Sequence, residues 1–203
     1  NLIKFNMGTR SLTRVIPIDG DKLLGEKRKV TEDTLKKSVE QTFKDIARYV
    51  VKHTKSGKAT DSLINLYRQY DGHMYGHGLE LAKFLDGFTL VNGIRSDIDP
   101  KDKIANGSGC LSAQLVKHFK EDAGQFYLMP FKDEVGAYGE EYIYNIYVIH
   151  FTLSATDTRF VMNISVTNVY KEEDDSEKYI FFQGTHEFLK ETTERNERMK
   201  RYN

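Results

Sequence analysis

The run YIYNIYVIHFTL, Tyr142 to Leu153, is apolar at odd and even positions alike, so it reads as a central strand covered on both faces. The next segment, RFVMNISVT, alternates instead. Phe160, Met162, Ile164 and Val166 fall on one face, and Asn163, Ser165 and Thr167 on the other. Beyond the acidic loop EEDDSE a last strand is expected over Tyr179 to Gln183. Upstream, SLTRVIPI (Ser11 to Ile18) is rich in β-branched residues and should be closed by a turn at Asp19-Gly20. SLINLYRQY (Ser62 to Tyr70) gives a second strand, stopped by Asp71-Gly72.

Helical spacing fills the gaps. Leu35, Val39, Phe43, Ile46 and Val50 draw one stripe, which predicts a helix over about residues 31–53. A short helix is expected from about Gly78 to Leu85, and another from Ser108 or Gly109 with Leu111, Leu115 and Phe119 inward. From Thr185 to residue 203 a polar helix carries Glu191/Arg195 and Glu194/Arg198 pairs, anchored only by Phe188 and Leu189. Such a helix is expected to fray at its far end or to meet a second copy or a protein partner. Helices and strands do not alternate regularly, so the fold class is α+β: a mainly antiparallel sheet with several packed helices. Residues 1–203 read as one domain, with the helix of residues 31–53 lying between the first two strands.

Charge narrows the partners. Thirty Lys and Arg balance thirty Asp and Glu, so there is no strong nucleic-acid signal and no pull to anionic lipid. The single cysteine, Cys110, excludes an internal disulfide and a cysteine-based zinc site, and reads as a small buried hydrophobe. No apolar run approaches membrane-spanning length, and NLIKFNMGTR has no signal-peptide core, so a cytoplasmic protein is expected.

Two stretches look like more than scaffold. YRQYDGHMYGHG puts Tyr67, Arg68, Gln69, Tyr70, Asp71, His73 and His77 among three glycines. Arg suits phosphate, Tyr stacks, and Gly-rich backbone approaches a ligand closely. ANGSGCLSAQ, with Asn106, Gly107 and Gly109, is a Gly-rich entry to a helix, but it lacks the Lys and spacing of a P-loop, so no cofactor is expected. His73, His77 and Asp71 are metal-ligand types, yet the flanking glycines argue for a loop, and no metal is expected. Glu141, beside Glu140 at the start of the central strand, is a second acid/base candidate.

Five segments in order, MGTRSLT (Met7 to Thr13), YRQYDGHMYGHG, LAKFLDGFTLVNGI, NGSGCLSAQLVKHFK and GEEYIYNIYV, resemble a family of small uncharacterised bacterial and phage proteins. The resemblance implies a prokaryotic or phage setting, with the host cytoplasm as location if phage-encoded. It also makes Asn1 to Asn6 an extension and Asp19 to Asp61 an insertion, since the first two strands of the family look joined by a hairpin. It brings no catalytic residues with it. Three readings follow. The leading one is a phage or bacterial accessory protein that sequesters a nucleotide-like or other small anionic molecule, with a possible anti-defence role, through Arg10, Arg68, Gln69, Tyr70, His77 and the Asn106 to Gly109 loop. The second is a hydrolase or transferase with His77 or His73 as base, Asp71 orienting it and Glu141 as a second acid/base. The third is a protein-protein inhibitor. The leading reading expects Arg10, Arg68, Asp71, His77 and Asn106 to converge on one concave site, with Tyr67 or Tyr70 as a wall.

Overall fold

The computed structural model describes residues 8–24, 62–93, 102–132 and 134–202, together with Gln41 and Asp45. Six strands form the main sheet: β1 (Ser11–Asp19), β2 (Ile64–Arg68), β5 (Phe126–Leu128), β6 (Tyr142–Thr152), β7 (Thr158–Asn168) and β8 (Tyr179–Phe182). Their order is β5-β2-β1-β6-β7-β8. Four of the five pairings are antiparallel, and the exception is the long parallel ladder between β1 and β6. Two short parallel strands, β3 (Thr89–Val91) and β4 (Ile104–Asn106), form a separate ribbon. With its packed helices this is the expected α+β fold.

The sheet has two covered faces. On the first, Val15, Tyr144, Ile146, Ile164 and Val166 meet α2 (Leu79–Leu85), α3 (Gly107–Phe119) and α4 (Thr185–Lys200). Leu81, Leu85, Leu111, Leu115 and Phe188 close that core, each fully buried. Both turns of α4 that face the sheet are anchored, because Thr192 is buried as completely as Phe188. The pair Glu191/Arg195 forms at 2.7 Å, whereas Arg198 reaches back to Glu191 at 3.5 Å instead of pairing with Glu194.

Two boundaries differ from expectation. Asp19 does not close a turn: it ends β1, and its Oδ1 accepts the N–H groups of Asp21 and Lys22, capping the short helix α1 (Gly20–Leu24). Between His73 and α2 the chain makes a wide π-type turn, Met74–Gly78. The helix expected over residues 31–53 lies outside the described residues, apart from Gln41 and Asp45, which are helical and linked by a 3.2 Å hydrogen bond. Among the described residues no helix is long and apolar enough to cross a membrane.

Candidate functional site

The glycine-rich turn that follows β2, residues 71–78, is seated on the first face of the sheet, where it packs tightly. Gly72 N–H donates to Thr9 O at 2.7 Å, and its own carbonyl accepts from Tyr144 Oη at 2.8 Å. A Cβ at Gly72 would stand 2.6 Å from the Arg10 carbonyl carbon and 2.7 Å from Ser11 N, both rigid backbone. Glycine is required there by close approach of two main chains.

His77 is fully buried at the centre of this arrangement. Its ring lies 5.0 Å from Phe119, 5.6 Å from Phe126 and 5.5 Å from Tyr144. Nδ1 is 3.1 Å from Arg68 Nη1, and an arginine only donates, so Nδ1 accepts and Nε2 carries the proton. That proton goes to Thr13 Oγ1 at 2.8 Å. Arg68 also donates through Nε to Tyr70 O at 2.6 Å, pairs with Glu80 at the start of α2, and lies over the Phe126 ring. Burial, reinforced by the Arg68 charge, holds the His77 pKa well below its ordinary value. The result is a chain of hydrogen bonds, Glu80 to Arg68 to His77 to Thr13, that ties β2, α2 and β1 together. Its members have their partners already.

The remaining candidates separate. Asp71 has φ 57° and an exposed carboxylate 3.8 Å from His73 Nε2, so it does not orient His77. Its carbonyl accepts the His77 N–H at 2.8 Å. The His73 ring lies against Tyr75 with centroids 3.6 Å apart and planes tilted by 46°, and partial burial lowers its pKa. Gln69 N–H pairs with Gln125 O, and Tyr70 is exposed. Asn106 ends β4 with its Oδ1 accepting from Gly93 N at 2.9 Å. Gly107 and Gly109 open α3, whose last residue, Phe119, is the one that touches His77, so the whole length of α3, ~20 Å, separates them from Arg68. Glu141 lies at the start of β6, where its N–H pairs with Arg10 O. The structure therefore does not bring Arg68, His77 and Asn106 to a shared pocket. Among the described residues no three His, Cys, Asp or Glu side chains are grouped to hold a metal ion.

Arg10 and Tyr67 lie elsewhere, on the second face of the sheet. There the cross-strand register sets Asn65, Arg14, Asn145 and Ser165 in one row over β2, β1, β6 and β7. All four are buried, and Arg14 is 5% exposed. Arg14 Nε donates to Asn65 Oδ1 at 3.0 Å, Asn65 Nδ2 donates to Pro130 O at 3.1 Å, and the guanidinium lies over the Phe131 ring. Among the described residues Arg14 forms no ion pair, and its one side-chain hydrogen bond is that to Asn65. Burial draws its pKa down, and the chief opposing influence is the charge of Glu140. Glu140 is fully buried and occupied by the main chain, since its oxygens accept from Gly136 N at 2.8 Å and Tyr138 N at 3.0 Å.

Arg10 stands beside this row. Its guanidinium lies against Gly139, where a Cβ would be 2.8 Å from Nη1 and φ is +70°, so glycine both makes the turn and leaves room for the arginine. Arg10 Nε is buried without a partner. Burial raises the Tyr67 pKa, and the Arg10 charge opposes the rise. Arg14 thus feels the charge of the buried Glu140, while Arg10, half-buried, lies against the neighbouring Gly139. Sequence reading had Arg10 and Tyr67 but missed Arg14 and Asn65. The available signal was a cation and an amide at inward positions of otherwise apolar strands. The chain matches no family model, no curated protein and no solved structure.

Proposed function

We propose that this protein is a binding module for a small anionic molecule, which it holds on the second face of its sheet against Arg14 and Arg10. The observation that carries this reading is Arg14: a guanidinium on a residue only 5% exposed, whose hydrogen bond among the described residues goes to a neutral amide, Asn65. Withdrawing a charge from water with so little compensation is costly, and groups perturbed in this way cluster at functional sites. An oxyanion supplies the complement, two acceptor oxygens matching the guanidinium fork. Arg10 and Tyr67, both half-buried at the same end of the row, add a second cation and an aromatic ring that reach the surface. Sequestration by a bacterial or phage accessory protein fits a site that offers charge and shape without an acid/base pair beside it.

Calorimetric titration with inorganic phosphate and pyrophosphate tests this. Arg14→Ala is expected to weaken binding by about 10- to 150-fold, the range of a charge-assisted pair of about 1.5–3 kcal/mol. Arg10→Ala should weaken it less. Binding that is unchanged in Arg14→Ala, or no binding to the wild-type protein, refutes the assignment.

A further inference from the structure

The second face of the sheet is closed at its centre and open at one margin. Asn145, Tyr147 and Asn163 are at most 2% exposed, whereas Tyr127 on β5 is 43% exposed. β5 ends the sheet on that side, so no strand pairs beyond it among the described residues. Tyr127 stands opposite Tyr67 across the β5–β2 ladder, with ring centroids 6.4 Å apart and planes tilted by 51°. Lys120 Nζ lies 5.5 Å from the centre of the Tyr127 ring and donates to Gly124 O at 2.9 Å. At Tyr67 the neighbouring cation is Arg10. Two adjacent tyrosine rings thus each have a cation beside them.

Zero net charge excludes a long-range field over the whole molecule, but not a local match. Single-stranded nucleic acid presents flat π-surfaces and anions in alternation, and aromatic rings flanked by Lys and Arg are its complement. A duplex cannot use such a platform, because its bases are stacked on one another. Glu121 and Asp122, which follow Lys120, line a cleft with Phe119 and Phe126, and the pleat puts Phe126 on the opposite face of β5 from Tyr127. We propose that this margin binds single-stranded nucleic acid, with bases stacked on Tyr127 and Tyr67 and phosphates held by Lys120 and Arg10. The proposal goes beyond the small-anion reading: it shares Arg10 with that site but does not require Arg14, so each can fail alone.

Fluorescence anisotropy of the full chain with labelled oligothymidylate tests it. The single strand is expected to bind at least about 10-fold tighter than a duplex of the same length. Tyr127→Ala should weaken single-strand binding by about 5- to 150-fold, the range of one lost base stack, and Tyr127→Phe should stay within about 2-fold of wild type. Inorganic phosphate affinity should be the same in wild type and Tyr127→Ala, which separates loss of the platform from loss of the anion site. Lys120→Gln should lower the slope of log affinity against log salt by about 0.7, one phosphate contact, and decides the matter if Tyr127→Ala does not fold. Equal affinity for single strand and duplex, or full affinity in Tyr127→Ala, overturns the stacking platform. An unchanged salt slope in Lys120→Gln overturns the phosphate assignment. No binding of oligothymidylate overturns the whole proposal and leaves the small-anion site to the phosphate titration.

Discussion

His77→Ala should lower the free energy of unfolding by about 3–5 kcal/mol, the cost of an aromatic-sized cavity together with lost hydrogen bonds. The ring fills the space between Phe119, Phe126 and Tyr144, which belong to α3, β5 and β6 and cannot all close in. Truncation also strips Thr13 Oγ1 and Arg68 Nη1 of a partner. Urea unfolding by circular dichroism measures the effect, and a loss below about 1 kcal/mol contradicts this account. The same residue sets a pH dependence. Its folded-state pKa is depressed below the unfolded value near 6.5, so the unfolded chain takes up the proton first. Stability is then complete above about pH 6.5 and falls as the pH drops, at about 1.4 kcal/mol per pH unit. His73 is shifted in the same direction and adds to the slope below about pH 6.5. In His77→Phe, which keeps most of the volume, only the His73 share should remain. A wild-type protein equally stable at about pH 5 and pH 7 contradicts the assignment.

The second large effect separates two arginines. Arg68→Met should destabilise by about 3 kcal/mol, since Arg68 serves Glu80, the Tyr70 carbonyl and the His77 ring at once. Arg14→Met should change stability by no more than about 1 kcal/mol in either direction. It loses one bond to Asn65 but no longer holds a buried, underpaired charge. Thermal melts of the two variants side by side decide the matter. If Arg14→Met is as damaging as Arg68→Met, then Arg14 belongs to the scaffold and the binding proposal loses its central residue. A stable Arg14→Met that no longer binds phosphate is the pattern of a residue retained for a ligand at the expense of stability.

These two arginines also mark where reading the chain succeeds and where it fails. The strands centred on Val15, Leu66, Ile146, Ile164 and Ile180 are legible, because period-two and doubly apolar patterns are local properties of the polypeptide. The helices at Leu79, Gly107 and Thr185 are legible for the same reason. The motif glycines are legible as special backbone positions, but their purpose is not. Only the approach of residues 71–78 to β1 and Tyr144 shows that they serve packing. Residues Asn163, Ser165 and Thr167 alternate with apolar neighbours, and a sequence reads them as one polar face. Whether that face meets water depends on what covers it, and the chain covers it: the three are 0%, 3% and 1% exposed.

Grouping site residues by their closeness within a motif fails for a related reason, visible at Tyr67 and Arg68. They are neighbours in sequence, yet the pleat sends them to opposite faces, one toward Arg10 and the other toward His77. Sequence alone determined β1, β2, β6, β7 and β8 and helices α2 to α4, because hydrophobic periodicity is written within each segment. The three-residue strands β3, β4 and β5 and the five-residue α1 are too short to carry a period. The pairing of β1 with β6, far apart along the chain, was decided by tertiary structure, and only that pairing sets Arg14 beside Asn145 and Ser165.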